Sequence, residues 1–500
     1  MNMLVWLWIV VLLAAAGMAA LAALQPHLKA AWWVALGVGL LLPLLWAAAY
    51  PSEPRISLWP GLWHPPLSPP GSVLRPWTWA AGLVVLVVAW AGLAMTAYRL
   101  PAVPVTDPRP WAAWLMLAVL GLTALTASEG WAVALMWATV DSIILTLEWR
   151  VQRSPKARRA AAYRAGIRGL TWMVPLFIAH TPTFWTAPAW AGALLTRAGV
   201  GPRVPSSDES VFTSTGRWVW WLPWLVSWVP WLQEPRPALS MGGILVVTII
   251  GLSAGIQALR HGDENSPMIG WMTVAGAITL LAGSQDLEAA RAWWLLLTIG
   301  GLSLELLRQS PNPWLAGGLA VLFAGPALLI PFTPGAIVIA AWPWPPTVAT
   351  IALAVLYTLL LATAWRHWPR QHDVLLHAPR GAQILVATGL LVLPATLWGI
   401  GLRLGWLTPP ASLPGWLPWS AGLLLAALAL VLARGMRALE RFPVPGPPPN
   451  LTKGLRGLQH WLSQSFENLV LFVMGLLEGE GGLFWALVAL AAALLGWKGG

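Results

Sequence analysis

GWAVALMWATVDSIILTLEW, residues Gly130–Trp149, is an apolar run with one acid near its middle, Asp141, and a second near its end, Glu148. The basic stretch RVQRSPKARRAAAYRAGIR, residues 150–168, follows at once. A run of about 18 or more apolar residues crosses a hydrocarbon core of about 30 Å as one helix. Lipid offers no partners to unpaired backbone groups, so a helix that satisfies its own is the stable form there. Comparable runs recur at about 3–24, 31–50, 77–99, 110–127, 130–149, 167–182, 185–198, 217–232, 240–259, 267–284, 289–307, 314–334, 346–366, 382–402, 416–434 and 482–497. The chain therefore reads as an all-α polytopic membrane protein with about 14–16 transmembrane helices. A transmembrane β-barrel needs short segments of alternating polarity, and these runs are continuous.

Composition points the same way. The 500 residues are 58% hydrophobic and 9% charged, against about 25% charged in a soluble domain. The net charge is +11. The basic residues lie between apolar runs, so topology rather than a nucleic-acid partner accounts for them. No cysteine is present, which excludes disulfides, thiolate-held clusters and cysteine nucleophiles. The eight histidines form no pair at metal-ligand spacing on one apolar helix, and His367 and His372 read as solvated. No metal site is expected. There is no Walker loop, dinucleotide fingerprint or HExxH motif, so no cofactor is expected either. The first run lacks a basic leading region and many others follow it, so it reads as a helix rather than a signal peptide.

The 39 tryptophans fall into two groups. Trp77, Trp79, Trp111, Trp149 and Trp365 sit at run ends, as interfacial belts predict. Trp218, Trp220, Trp221, Trp224 and Trp228 crowd one run, where packing against lipid explains them as well as a site does.

Charge sets an orientation. Arg150, Arg153, Lys156, Arg158, Arg159, Arg164 and Arg168 lie in the loop after the fifth run, and cytoplasmic loops are the basic ones. Parity then places the N-terminus outside and Arg260, Arg308, Arg366, Arg370, Arg434, Arg437 and Arg441 inside. Loops assigned outside are acidic or neutral, such as that with Asp286 and Glu288. The expected location is a bacterial inner membrane. Two segments interrupt the runs: the proline-rich 51–76 and the polar 199–216 with Pro202 and Pro205. The second is an ordinary loop or the break of a discontinuous helix, a feature of ion and substrate sites. Beyond a proline-rich linker at 442–450, Leu451, Leu455, Leu458, Leu462, Phe466 and Leu469 mark an amphipathic helix along the interface.

Ionisable residues within membrane runs are costly and mark candidate sites. Asp141 at mid-run is a proton-relay candidate or a helix-packing hydrogen-bond partner. Glu148, seven residues on, favours a surface ion pair with the basic loop. Glu129 opens the same run, where a helix N-terminus suits a carboxylate, and is a candidate for proton exit. Arg197, before the break at Pro202, either pairs with Asp141 or Glu148 or snorkels to the interface. His180 passes protons or is a satisfied interfacial histidine. Glu305, a further proton-path candidate, precedes Arg308 by three residues, which suits a helical ion pair over a channel role. No catalytic residue is expected.

Several of these stretches, taken in order, resemble the antiporter-like membrane subunits of respiratory NADH–quinone oxidoreductase and of related cation/proton antiporters. LLTRAGVGPRVP (Leu194–Pro205) is similar to a broken helix in which a proton-path lysine precedes a proline by five residues; Arg197 takes that place before Pro202. LMWATVDSIIL (Leu135–Leu145) is similar to a fifth helix with a central glutamate, with Asp141 in its position. ALRHGDENSPMIGWM (Ala258–Met272) and FAGPALLIPFTPGAI (Phe323–Ile337) resemble later family segments. The resemblance covers about residues 110–366. It implies two inverted five-helix repeats, 110–232 and 240–366, between N-terminal helices at 1–109 and C-terminal helices at 382–441, with 451–497 as a shortened lateral helix and terminal span. It also implies other membrane subunits of a respiratory or antiporter complex as partners.

The departures carry their own reading. The run Arg217–Leu232 has no internal lysine, Asn265 stands where the family has a lysine, and the run 314–334 has no ionisable residue. Arginine holds its proton far more tightly than lysine. Expected, then, is a divergent antiporter-like subunit with a partly retained first half-channel, whose redox cofactors, if any, sit on a partner. The alternatives are a membrane scaffold, a standalone transporter, and a multi-span glycosyltransferase acting on a lipid-linked substrate. The transporter lacks a polar cavity, and the outer loop 51–76 offers the transferase only Glu53, Arg55, His64 and Arg75.

Overall fold

The computed structural model describes residues 31–48, 55–57, 71–73, 75–96, 109–126, 130–151, 154–177, 183–200, 217–233, 239–260, 266–307, 348–367 and 380–404, part of 424–435, and isolated positions before residue 31. Among these, helices α1 (Ala31–Ala48), α2 (Pro76–Met95), α3 (Arg109–Thr126) and α4 (Gly130–Val151) come first. The basic α5 (Pro155–Leu170), the short α6 (Met173–Phe177), α7 (Thr183–Gly199) and α8 (Arg217–Gln233) follow. The series ends with α9 (Met241–Arg260), α10 (Ser266–Gly283), α11 (Leu287–Leu307), α12 (Val348–His367) and α13 (Arg380–Arg403). Among the described residues the fold is helical apart from one ribbon in the proline-rich segment. There β1 (Arg55–Ser57) pairs antiparallel with β2 (Gly71–Val73), Ile56 opposite Ser72.

Length and composition suffice for Ala31–Ala48, Pro76–Ala94 and Met241–Leu259 to cross a bilayer. The 22-residue α4, 21-residue α11 and 24-residue α13 are long enough at 1.5 Å per residue. Burial separates inner from outer helices. The span window of α2 is buried throughout, and α2 packs against α1, α3 and α13. On α9, Met241, Leu245, Val246, Ile249 and Ile256 are exposed; an apolar outer face of this kind meets acyl chains without penalty in a multi-pass membrane protein.

The tryptophans of α8 correct the expectation of lipid packing. Trp221, Trp224 and Trp228 are buried within the protein, because α8 is surrounded by α2, α3, α4, α7 and α11. Trp224 stacks on Trp294 at 5.8 Å and Trp77 meets Trp294 edge-on at 5.1 Å, linking α8, α11 and α2. Indoles also join helices by hydrogen bonds. Trp46 Nε1 donates to the Trp79 carbonyl and Trp79 Nε1 to the Trp46 carbonyl, each at 2.8 Å. Trp77, Trp79 and Trp111 are likewise buried within the protein.

Residues 155–170 form a helix rather than a loop. Ser154 Oγ accepts from the Ala157 amide at 3.1 Å and Pro155 occupies the first helical position, so α5 starts there. The expected span over 167–182 is also interrupted: α5 ends at Leu170, a turn occupies Thr171–Trp172, and α6 begins at Met173. The Thr171 hydroxyl donates back to the Arg168 carbonyl and helps close α5. The polar break at 201–216, the run 314–334, the amphipathic 451–469 and the terminal run 482–497 lie outside the described residues.

Close helix contact rests on small residues. A Cβ on Gly270 of α10 would lie 2.4 Å from the Ala258 Cβ and 3.1 Å from the Ala254 carbonyl oxygen of α9. One on Gly251 of α9 would meet the Ala277 Cβ at 2.9 Å. We expect Gly270→Val to force α9 and α10 apart and cost about 1–3 kcal/mol, the range of overpacked cores. Thermal unfolding in detergent reads this as a lowered midpoint; an unchanged midpoint would contradict the packing.

Candidate functional site

Asp141 and Glu148 lie seven residues apart on α4, so two helical turns place both on one face. Arg164 and Arg168 lie four apart on α5 and share a face in the same way. The two helices pack together and the pairs mesh. Arg164 Nη2 donates to Glu148 Oε1 at 2.9 Å. Arg168 stands between the carboxylates, its Nε 3.2 Å from Asp141 Oδ1 and its Nη2 3.9 Å from Glu148 Oε2. Its Nη1 donates to the Val200 carbonyl at 3.0 Å, just past the end of α7.

The third cation comes from α7. Arg197 Nη1 donates to Asp141 Oδ2 at 2.9 Å and Nη2 to Oδ1 at 3.2 Å, a forked contact. The same Nη1 reaches Thr171 Oγ1 at 3.0 Å. Its guanidinium carbon sits 4.5 Å from the Trp137 ring centroid, a cation–π contact. Trp172 Nε1 donates to Asp141 Oδ2 at 2.8 Å. Trp137 Nε1 in turn donates to the Val226 carbonyl at 3.3 Å, fastening the cluster to α8.

The cluster is deep. Asp141 and Glu148 are each 1% exposed, Arg197 2% and Arg168 0%. Two carboxylates face three guanidiniums, a balance of −2 and +3, so one positive charge is in excess among these side chains. Burying charge is expensive, and only dense mutual pairing offsets it. Even so, Arg168 Nε and Nη2 and Arg197 Nε have no hydrogen-bond acceptor.

The structure brings together three residues singled out in the sequence: Asp141, Arg197 and Glu148. Glu148 differs from expectation, since its ion pair is buried rather than at the surface. The sequence alone does not single out Arg168, Arg164, Thr171 or Trp172: the two arginines read as members of a basic loop, and Thr171 and Trp172 as part of the run 167–182. The signal was present: Ser154–Pro155 starts a helix, and Arg164 and Arg168 repeat at one-turn spacing opposite acids at two-turn spacing. Glu129 and His180 lie outside the described residues, and Glu305 lies on α11 with its side chain outside them.

Searches on sequence find nothing: no family model matches and no curated protein does. Comparison of folds finds relatives. A chain of the Mrp complex from Dietzia sp. DQ12-45-1b superposes with a TM-score of 0.63 at 13% identity, over 97% of this chain and 63% of that one. A chain of the membrane-bound sulfane sulfur reductase, an archaeal respiratory membrane complex, superposes with a TM-score of 0.57 at 14% identity, over 99% of this chain and 100% of that one. This chain shares its fold with subunits of multi-subunit membrane complexes. It spans 63% of the length of the Mrp chain it matches. A chain of respiratory complex I from Thermus thermophilus aligns with a TM-score of 0.42 at 13% identity, over 86% of this chain and 98% of that one.

Replacing Asp141 strands Arg197 and Arg168 in a buried site. We expect Asp141→Ala to cost about 3–5 kcal/mol, as loss of one partner of a buried pair does. Asp141→Leu combined with Arg197→Met is expected to recover part of that loss. Denaturation of the purified protein measures both; a double variant no better than Asp141→Ala would rule out pairwise coupling.

Proposed function

We propose that this chain is a divergent antiporter-like subunit of an ion-translocating respiratory membrane complex, with one partly retained half-channel for protons. One observation carries the reading: a continuous string of charged groups, buried from Arg197 through Asp141 and Arg168 to Glu148 and ending at the half-buried Arg164. Ionisable groups at this depth are kept where they line an ion path. The shared fold with subunits of membrane complexes supports assembly with other membrane subunits.

Arginine keeps its proton under all accessible conditions, so the carboxylates are the carriers and the guanidiniums are fixed charges. Arg168 is the coupling element. It stands closer to Asp141, at 3.2 Å, than to Glu148, at 3.9 Å. A proton arriving on Asp141 cancels its attraction for Arg168 and Arg197. With Asp141 neutral, Arg168 shifts toward the ionised Glu148, and departure of the Asp141 proton restores the first arrangement. Glu129 and His180 serve as path ends in the same scheme, with Glu305 in an ion pair beside the second half. The basic α5 lies at the cytoplasmic side. The α8 helix carries no lysine and is filled by tryptophan, which fits a second half-channel that no longer conducts.

A second reading has its own support. Asp141 is gripped by Arg197 and Trp172 and flanked by Arg168, a geometry equally suited to clamping helices in a non-conducting scaffold. Proteoliposomes with an imposed potassium diffusion potential separate the two. The proposal expects proton uptake, reported by a lumenal pH dye, that falls about tenfold or more in Asp141→Asn and in Glu148→Gln, as loss of a proton-transfer group does. Equal uptake by wild type and both folded variants would leave the scaffold.

A further inference from the structure

Trp137 lies four residues before Asp141 on α4, so one helical turn puts the two side chains on the same face. Trp190 and Arg197 lie seven apart on α7 and share a face in the same way. Where the two faces meet, the Trp137 ring serves both. It meets Trp190 edge-on with centroids 5.8 Å apart, and the Arg197 guanidinium carbon lies over it at 4.5 Å. Arg197 therefore has two partners of different kinds, the forked Asp141 carboxylate and an indole face.

The orientation of that face is set by α8. Pro230 stands four residues after Val226 within the helix. Proline has no amide N–H, so the Val226 carbonyl is left without its usual helical donor. Trp137 Nε1 supplies one at 3.3 Å. The ring is fully buried, pinned to α8 by its N–H and packed on α7 by Trp190.

The two partners of Arg197 respond differently to a proton. The forked contact weakens once Asp141 is neutral. The attraction of a cation for a tryptophan face comes from the ring quadrupole, which a proton on Asp141 leaves unchanged. Arg168 has Glu148 as a second carboxylate at 3.9 Å. Among the described residues Arg197 has no carboxylate but Asp141 within ion-pair distance. When Asp141 is neutral, the Trp137 face is what remains to hold the Arg197 charge.

We propose that Trp137 is a positioning residue of the Asp141 site. It holds the Arg197 guanidinium in place while Asp141 is protonated, so that the cation stands ready for the carboxylate when the proton leaves. The purpose of this hold rests on the proton-path reading given above; the hold itself does not.

A double-mutant cycle on the full chain in detergent tests it, with equilibrium unfolding as the readout. The cycle is run in the Asp141→Asn chain, where the neutral amide stands for the protonated acid. Trp137→Leu is expected to lower the folding constant about tenfold or more further when Arg197 is present than when Arg197→Met has removed the cation, as loss of a desolvated cation–π contact does. Equal losses overturn the proposal. Fluorinated tryptophans at position 137 keep the indole N–H and nearly its shape while weakening the ring quadrupole. Stability is expected to fall stepwise with each added fluorine in the chain that retains Arg197, and a flat series overturns the proposal. If Trp137→Leu does not fold, the fluorine series alone decides. Neither readout needs transport. A coupled cycle without proton uptake by the wild type strikes the path alone, and an uncoupled cycle strikes the role of Trp137 whatever the uptake.

Discussion

Asp141 is the point on which the centre of the molecule turns. One carboxylate accepts from Arg197 on α7 and Trp172 in the turn after α5, and it stands beside Arg168 on α5. Three separate stretches are thereby tied to α4. In a medium of low dielectric, charges of this kind are tolerated only when each has a partner. The helix termini around the cluster follow from that demand. Past the end of α5 at Leu170, Trp172 donates to the carboxylate that Arg197 grips, and Thr171 accepts from Arg197 itself.

Away from the cluster a different physics holds the helices. Lipid tails are as apolar as leucine, so association cannot depend on hiding apolar surface from water. It depends on close fit. Gly270 against Ala254 and Ala258 lets α9 and α10 approach closely. Buried indoles supply both contact area and hydrogen bonds, as with Trp114 to the Ala89 carbonyl at 2.9 Å and Trp271 to the Leu297 carbonyl at 3.0 Å. The tryptophan content thus serves the interior of the bundle as well as its rim. The Asp141 cluster stands apart from this packing, held by ion pairs and hydrogen bonds among its own side chains.

The resemblance of Asp141 and Arg197 to a carboxylate–lysine arrangement was legible because both stand out against apolar neighbours. An ionisable side chain in a run such as Leu135–Leu145 has few alternatives to a partner. Arg168 was not legible in the same way. It is one of seven basic residues in a short stretch, and nothing in the local pattern says which of them turns inward. The tryptophans of α8 share that ambiguity. A helix that is apolar all round presents no face that distinguishes lipid from protein, so burial depends on what surrounds it.

The sequence by itself determined a multi-pass helical membrane protein. Long apolar runs permit no other stable arrangement of backbone hydrogen bonds in lipid. It also singled out Asp141 as a buried charge needing a partner. Only the tertiary structure decided which partners it has, because contacts such as that between residues 141 and 197 depend on how α4, α5 and α7 pack rather than on any local periodicity.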